Sequence, residues 1–284
     1  MHTTVRSQAG ISVSPFNGAL GAEIGGVDLS QPVPAATFAE IRRALGDYGV
    51  IVFRDQTLTP EQHFAFAQQW GQINVNRFFR AVEGYPAIAE VRKEAHQKGN
   101  IGGTWHTDHS YDQVPAMGSL LYAREVPPYG GDTLFASMAA AYDALSDGLK
   151  ETLGTLRAWH SSRHVFGEAA YEGVSEGRIG NASAATQDAL HPVVITQPFS
   201  GRKGLYVNPQ FTVRIDGWND DESRALLSFL YQHAVKPEFT CRLRWTAGAL
   251  AVWDNRATWH YATNDYHGHR RLMHRVTVEG VALH

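Results

Sequence analysis

The sequence has little of several features that would assign it to a particular class of protein. Its single cysteine, Cys241, excludes an internal disulfide and fits a reducing compartment. No run approaches the roughly 18 apolar residues of a membrane span, and the first residues lack the apolar segment of a secretory signal. Acidic and basic residues are mixed, with a net charge of −3, and no basic block indicates nucleic acid as a partner. These absences predict a cytoplasmic protein that binds neither membrane nor nucleic acid.

The remaining composition is that of an ordinary globular domain. The chain has 284 residues, of which 43% are hydrophobic, enough for one sizeable core. No internal repeat or linker divides it, so we predict a single domain over residues 1–284. Residues 166–190 are rich in glycine, alanine, serine and glutamate and show little periodicity. We expect this stretch to be a surface insertion or a lid.

Patterns typical of short strands outnumber those typical of helices. Apolar residues at helical spacing predict helices over 34–48, 59–70, 137–145, 147–156 and 220–233. Alternating or short apolar runs predict strands near 11–14, 49–53, 88–91, 117–122, 133–135, 193–195, 205–207, 239–245, 249–253 and 273–278. The predicted fold class is α+β and mainly β, a sandwich or barrel flanked by helices.

A His-x-Asp motif and a distant histidine form a candidate metal site. His106 and Asp108 would point the same way on a strand, because side chains there alternate with a period of two. Together with His260 they would supply two imidazoles and one carboxylate, a set that holds Fe(II) and leaves other positions open. A surface histidine hydrogen-bonded to an aspartate is the alternative for His106 and Asp108.

An arginine follows the second histidine at a spacing that is not unique. Arg271 comes eleven positions after His260, and His191 and His233 are also followed by arginine at this distance. His233 falls on a predicted helix and His191 precedes a proline, whereas His260 follows an apolar strand. Two late strands can therefore bring His260 and Arg271 to the mouth of one barrel.

The order of four motifs resembles that of the taurine dioxygenase family, of the TauD/TfdA type. These motifs are Trp105–Asp108, Gly130–Thr133, Trp253–Arg256 and the segment from His260 to Arg271. The early stretches GAEIGGVDL and VIVFRDQTLTPEQ are also similar to that family. The resemblance extends over roughly residues 10–280, and it is specific because the four motifs occur together and in order.

The resemblance implies a fold, a chemistry and a set of residues. The expected core is a double-stranded β-helix, or jelly roll, and the expected assembly is a homo-oligomer, a dimer or tetramer. His106, Asp108 and His260 would bind Fe(II), while Thr133 and Arg271 would bind the distal carboxylate of the co-substrate 2-oxoglutarate. The reaction would be the O2-dependent hydroxylation of a small anionic substrate, with release of succinate and CO2.

Arg275 is the candidate for binding the anionic group of the substrate. In the family an arginine four residues after the co-substrate arginine has this role. Alternation puts positions 271, 273 and 275 on one face of a strand, so both guanidinium groups can enter one cavity. The substrate would then be a carboxylate or a sulfonate. A salt bridge between Arg275 and a structural carboxylate is the alternative.

Other candidate substrate contacts depart from the taurine enzymes. Asn76, Phe79 and Gly102 stand where those enzymes have polar residues that contact taurine, which predicts a roomier and more apolar pocket. His109 and Tyr206 are further candidates, with hydrogen bonding to a neighbour and packing as their respective alternatives. Segments 83–86, 200–208 and 237–242 are more similar to the aryloxypropionate dioxygenases, so an aromatic or alkyl acid is expected rather than taurine.

Three other functions stay open on the residues alone. The same site could desaturate or epoxidise a metabolite derived from an amino acid. A zinc hydrolase could use two histidines, an aspartate and a bound water. A barrel without metal could bind a ligand or partner. The metal content distinguishes the last two functions from an iron-dependent oxygenase.

Overall fold

The structure is a computed structural model that describes residues 5–6, 10–167 and 178–283. Its strands in chain order are β1 (Val5–Arg6), β2 (Ser12–Pro15), β3 (Ala22–Gly25), β4 (Val50–Phe53), β5 (Ile73–Asn74), β6 (Ala81–Val82), β7 (Tyr85–Lys93), β8 (Gly118–Glu125), β9 (Thr133–Ser137), β10 (Arg157–Ser161), β11 (Asp188–Pro192), β12 (Val194–Thr196), β13 (Lys203–Leu205), β14 (Thr212–Ile215), β15 (Thr240–Leu243), β16 (Leu250–Asp254), β17 (Thr258–Ala262) and β18 (Arg271–Val278).

The helices lie mostly between the early and middle strands. They are α1 (Ala35–Tyr48), α2 (Pro60–Gln68), α3 (Met138–Asp143), α4 (Asp147–Leu153), α5 (Arg163–Phe166) and α6 (Asp220–Ala234), with short 3-10 turns at Ala182–Ala184 and Pro237–Phe239. The predicted fold class, mainly β with flanking helices, is confirmed. In the part of the chain that the structure describes, no helix has the length and apolar character of a membrane span.

One large sheet and one small sheet form the framework of the molecule. The large sheet has the order β1-β2-β3-β4-β16-β8-β18-β7-β6, with β5 also paired to β18. Its pairs are antiparallel except for β3 with β4. The small sheet has the order β15-β9-β17. Apolar side chains from both sheets pack together, among them Phe135 of β9, Trp253 of β16 and Met273 of β18. The two sheets therefore face each other across a shared core.

The opposite face of the large sheet is covered by α1 and α2. Ile41 and Leu45 of α1 and Phe66 of α2 pack against Ile51 and Phe53 of β4. Because β4 is covered on both faces, all four of its residues are buried, which explains its continuous apolar sequence. The two helices thus bury the outer face of the large sheet.

The strand predictions missed several elements. Strand β17 was not predicted, although it carries His260 and belongs to the small sheet. The three-stranded sheet of β11, β10 and β14 was also not predicted. Within the expected insertion at 166–190, residues from Asp188 onward belong to β11, and residues 168–177 lie outside the described part of the chain.

Candidate active site

Two backbone hydrogen bonds bring the candidate metal ligands together. The His106 N–H donates to the His260 carbonyl at 3.1 Å, and the His260 N–H donates to the His106 carbonyl at 2.7 Å. The two imidazole centroids lie 4.0 Å apart. Asp108 faces both, with Oδ1 at 3.7 Å from His106 Nε2 and Oδ2 at 3.9 Å from His260 Nε2. One ligand atom from each of the three residues lies within 4.8 Å of the others.

The tautomer of His106 suits a metal ligand. Its Nδ1 lies 2.7 Å from the Thr104 carbonyl, which can only accept, so the proton belongs on Nδ1 and the Nε2 lone pair faces Asp108. Burial lowers the pKa of His106, and burial together with the neighbouring His106 lowers the pKa of His260 well below its ordinary value. Both imidazoles are therefore neutral near pH 7, the form that binds a cation.

Asp108 is held in its ionised form by positive charge. Burial would raise the pKa of this carboxyl group, but the neighbouring Arg275 guanidinium, the strongest opposing influence, holds it well below its usual range. Arg275 Nη1 donates to Asp108 Oδ2 at 3.0 Å, and the Ser119 hydroxyl is 3.4 Å from the same oxygen. A carboxylate beside two neutral imidazoles is a donor set that fits Fe(II).

The other end of the cavity holds a buried arginine without an anionic partner. Arg271 is only 6% exposed, and among the described residues no carboxylate lies within ion-pair distance of it. Burial lowers the pKa of Arg271, although Tyr266 and Asp132 act in the opposite direction. Since a buried cation is costly without an anion, this position fits the carboxylate of a ligand. Thr133 lines the same cavity.

Two glycines allow the backbone to pass close to Arg271. Gly130 and Gly131 have φ values of 69° and 66°, in the left-handed region that favours glycine. A Cβ on Gly131 would lie 3.3 Å from Arg271 Cδ, and a Cβ on Gly130 would lie 2.6 Å from Asp265 Oδ1. The Gly130–Thr133 motif is therefore a turn that packs against the arginine and begins β9 at Thr133.

The Trp253–Arg256 motif joins the two metal-binding segments. Thr107 Oγ1 donates to the Asn255 carbonyl, and Trp253 Nε1 donates to Asn255 Oδ1 at 2.8 Å. Arg256 donates two hydrogen bonds of 2.8 Å to the carboxylate of Asp254. This buried turn connects β16 with β17 and thereby sets the position of the strand that carries the second histidine.

A cavity runs between the two sheets and is apolar on one side. Arg275 Cζ lies 4.5 Å from the centroid of the Phe79 ring, within the range of a cation–π contact. The rings of Phe166 and Phe211 lie 5.9 Å apart in the same wall. The cavity is lined by Phe79, Val91, Ile101, Gly102, His106, Asp108, Leu121, Thr133, Phe166, Gln210, Phe211, Trp253, His260, Ala262, Arg271 and Arg275.

Three predicted substrate contacts are absent from this lining in the described part of the chain. Asn76 Oδ1 instead accepts from the backbone N–H groups of Phe78 and Phe79, both at 2.9 Å. Tyr206 packs beside the rings of His160 and His191, with centroids 5.8 and 5.5 Å away. The structure therefore gives Asn76 and Tyr206 structural contacts, while Phe79 and Gly102 do line the cavity.

The third of these residues, His109, belongs to the turn directly after Asp108, the candidate carboxylate ligand. It has a φ of 61°, rare outside glycine, and its Nδ1 lies 2.9 Å from Asp112 Oδ2. Arg77 Nη2 donates to the other oxygen of Asp112 at 2.5 Å, and Asn208 Nδ2 donates to Ser110 Oγ at 3.0 Å. These contacts fix the turn and with it the position of Asp108. Spacing alone gave no signal for the Arg77–Asp112 pair.

A family model described as "Taurine catabolism dioxygenase TauD, TfdA family" matches residues 12–277. The chain is 34% identical to an alpha-ketoglutarate-dependent sulfate ester dioxygenase of Pseudomonas putida, over 95% of this chain and 90% of that protein. It is also 34% identical to an alpha-ketoglutarate-dependent 2,4-dichlorophenoxyacetate dioxygenase of Cupriavidus pinatubonensis, over 94% of this chain and 97% of that protein.

Solved structures show the same likeness. A putative alpha-ketoglutarate-dependent taurine dioxygenase from Burkholderia xenovorans has a TM-score of 0.81 and 38% identity, covering 96% of this chain and 94% of its own. AAD-2 in complex with Mn(II) and N-oxalylglycine has a TM-score of 0.79 and 32% identity, covering 95% and 98%. The chain therefore belongs to the taurine catabolism dioxygenase TauD, TfdA family, and it is a dioxygenase that uses Fe(II) and 2-oxoglutarate.

Proposed function

We propose a role for each end of the cavity. Fe(II) binds to His106, Asp108 and His260, the distal carboxylate of 2-oxoglutarate binds to Thr133 and Arg271, and the anionic group of the substrate binds to Arg275. The observation that carries this assignment is the buried Arg271, which lacks a carboxylate partner in the described residues and shares one cavity with the three candidate ligands. A ligand that reaches from the metal site to Arg271 and carries a carboxylate at that end supplies the missing charge.

The bound iron and 2-oxoglutarate supply the oxidation of a substrate C–H bond, with release of succinate and CO2. The residues of the chain do the positioning. Arg271 offers a fork of N–H donors that matches a carboxylate, and Thr133 adds a hydroxyl. The apolar wall, which includes Phe79, Phe166 and Phe211, keeps water away from the organic part of the substrate.

Arg275 can serve both Asp108 and a substrate. Its Nη1 donates to Asp108 Oδ2, which engages one of the five N–H donors of the guanidinium group. Its Nε is buried and has no hydrogen-bond partner among the described residues. The open donors support binding of an anion beside the metal site. The two alternatives that the sequence left open for Arg275, an ion pair with a carboxylate and a contact with the substrate, are therefore compatible.

The substrate that these walls favour is a small anion with an apolar body. We propose a carboxylate or sulfonate, or a sulfate ester of the same shape and charge, joined to an aromatic or alkyl group. The sulfate ester and dichlorophenoxyacetate dioxygenases among the relatives act on compounds of this kind, as does an (S)-phenoxypropionate dioxygenase of Sphingobium herbicidovorans, 32% identical. Phe79 and Gly102 offer no polar side chain for the amine of taurine.

The proposal is tested by measuring how much succinate the enzyme releases from 2-oxoglutarate in the presence of each candidate substrate. The panel contains an alkyl sulfate, a phenoxypropionate, an alkyl sulfonate and taurine, each with an uncharged analogue of similar shape, such as the primary amide of the phenoxypropionate. We expect the apolar anions to stimulate succinate release well above taurine and above their uncharged analogues. Equal stimulation by the uncharged analogues would refute the role of Arg275. Mass spectrometry of the products distinguishes desaturation, which removes two hydrogens, from the addition of one oxygen, and NMR of the products distinguishes an alcohol from an epoxide.

The proposal also covers the core fold, the domain organisation, the oligomeric state and the location of the protein. The two facing sheets support a double-stranded β-helix, or jelly-roll, core. Residues 1–284 act as one domain, since the family match extends over 12–277. A homo-oligomer, dimer or tetramer, is tested by light scattering. A cytoplasmic location is supported by the single, buried Cys241.

A further inference from the structure

Trp245 contacts both residues proposed to bind the distal carboxylate of 2-oxoglutarate. It lies just after β15, whose last residue, Leu243, pairs with Thr133 at the start of β9. Its indole Nε1 donates to Thr133 Oγ1 at 2.9 Å. Its ring centroid lies 5.8 Å from Arg271 Cζ. The tryptophan is 5% exposed, so it is enclosed behind the cavity wall.

The hydrogen bond limits what the Thr133 hydroxyl can do. An indole N–H can only donate, so the threonine oxygen must accept, and its single proton is left to donate elsewhere. The backbone of Thr133 is fixed, because it pairs with Leu243 on one side and Ala262 on the other. Rotation of the hydroxyl is therefore the main remaining freedom, and Trp245 restricts it.

We propose that Trp245 is a positioning residue for 2-oxoglutarate: it orients the Thr133 hydroxyl so that its proton is presented to the distal carboxylate beside Arg271. This inference rests on the proposed roles of Thr133 and Arg271. A hydrogen-bond donor that is already oriented contributes more to binding, because less freedom is lost when the ligand arrives. Trp245 thus acts on affinity for the co-substrate without touching it.

A purely structural role would give a different pattern. A buried tryptophan needs a partner for its N–H, and Thr133 would satisfy that need whether or not a ligand binds. In that case Trp245→Phe would lower stability and leave 2-oxoglutarate affinity unchanged. The positioning role requires a loss of affinity that depends on the hydroxyl of Thr133.

The test is a double-mutant cycle read by anaerobic titration of the Fe(II) protein with 2-oxoglutarate. The variants are Trp245→Phe, Thr133→Val and the double mutant. We expect Trp245→Phe to weaken 2-oxoglutarate binding by about threefold to tenfold, the range for one hydrogen bond. In the Thr133→Val background the same change should have no further effect, because the hydroxyl is already absent. Equal affinity of Trp245→Phe and wild type, or an equal loss in both backgrounds, would overturn the proposal.

Trp159→Phe is the control for an indole hydrogen bond outside the cavity, with the difference that this bond is exposed whereas that of Trp245 is buried. Trp159 Nε1 also donates to a side-chain oxygen, Asp216 Oδ1, at 2.8 Å, but the residue does not line the cavity. It should show the stability cost of losing an indole hydrogen bond and no change in affinity. If the wild-type protein itself forms no complex with 2-oxoglutarate, the proposed function fails. If wild type binds and Trp245→Phe binds equally well, only the inference about Trp245 fails.

A measurement on the unmutated tryptophan covers the case in which Trp245→Phe does not fold. In protein labelled with ¹⁵N at tryptophan, the indole N–H signal of Trp245 is the one that moves most in Thr133→Val. Addition of Zn(II) and N-oxalylglycine to wild type should shift it downfield, because a hydroxyl that donates to a carboxylate becomes a better acceptor. A signal that does not move would count against the proposal.

Discussion

Arg271 and Arg275 lie on the same strand, both are buried, and both line the same cavity, yet their surroundings differ. Arg275 is ion-paired with Asp108 at 3.0 Å. Arg271 has no carboxylate at ion-pair distance in the described ranges 10–167 and 178–283. Arg275 therefore has a protein carboxylate as its counter-charge, whereas Arg271 has none within ion-pair distance among the described residues.

The difference shows how the two ends of the cavity depend on what binds there. At the Arg271 end the described residues place no carboxylate within ion-pair distance, so the charge balance would be completed by the co-substrate proposed to bind there. At the Arg275 end the guanidinium compensates Asp108, which is itself a candidate metal ligand. At that end a metal cation would lie beside Asp108 and a substrate anion would lie beside Arg275, so each ligand would meet one member of an existing ion pair. Predictions for Arg275, Arg271 and Phe79 test this contrast, and one for His63 tests a buried group outside the cavity.

Arg275→Met should give the largest effect on stability. The change leaves the Asp108 carboxylate buried beside two neutral imidazoles, and breaking a buried pair costs about 3 kcal/mol. We expect the free energy of unfolding of the metal-free protein at pH 7 to fall by that amount in urea denaturation. Added Mn(II) should recover most of the loss, because the cation replaces the guanidinium as counter-charge. A variant as stable as wild type would show that the pair contributes little.

Arg271→Met should affect binding and leave stability nearly unchanged. Loss of a buried charged partner is expected to weaken 2-oxoglutarate binding by at least about 100-fold. The metal-free protein should not be destabilised, because the substitution removes a buried cation that has no carboxylate within ion-pair distance in the described residues. Titration with 2-oxoglutarate and urea denaturation of the same samples check both parts. A large loss of stability would mean that Arg271 has a structural partner.

His63 provides a buried imidazole that does not line this cavity. It lies on α2 and is 1% exposed, and burial, together with the neighbouring His274, lowers its pKa to about 3. Because the unfolded pKa is about 6.5, the unfolded state binds more protons between these values, and stability is lost as the pH falls from 6.5 toward 3. In His63→Leu the slope of stability against pH in this window should be smaller by up to about 1.4 kcal/mol per pH unit. Urea denaturation at pH 4.5 and 6.5 measures it, and equal slopes would be inconsistent with a neutral buried His63.

Phe79→Leu should have the smallest effect. The ring of Phe79 lies 4.5 Å from Arg275 Cζ, and a cation–π contact of this kind contributes about 0.5–1 kcal/mol. We expect substrate affinity to fall about twofold to fivefold, because the guanidinium loses one of its supports. Affinity for 2-oxoglutarate should stay the same. An equal loss for both ligands would place Phe79 outside the substrate end.

Much of the site could be predicted because it depends on local rules. Alternation along β18 predicted that positions 271 and 275 share a face, and both arginines line the cavity. The family and the enzyme class, inferred from the order of four motifs, are confirmed. The helices 34–48 and 220–233 were predicted to within one residue at each end, since their apolar spacing is regular.

The rest depends on contacts between distant segments. Strand β17 was not predicted, because it follows the Trp253–Arg256 turn and mixes polar with aromatic residues. No sequence pattern shows that Arg275 pairs with Asp108 or that Trp245 donates to Thr133, since both pairs are distant in sequence. Trp245 reaches Thr133 only because β15 pairs with β9 in the small sheet. His109, a candidate substrate contact, lies against Asp112 three residues along the chain, which is the hydrogen-bonding alternative that the sequence left open.

The central claim is tested most directly by anaerobic titration of the metal-free protein with Fe(II) and then 2-oxoglutarate, followed by the visible charge-transfer band of the complex. We expect the band in wild type, its loss in His106→Ala, its appearance only at much higher 2-oxoglutarate concentration in Arg271→Met, and a nearly unchanged 2-oxoglutarate dependence in iron-loaded Arg275→Met. Iron binding without any band in wild type, or an equal shift in both arginine variants, would contradict the division of the cavity between Arg271 and Arg275.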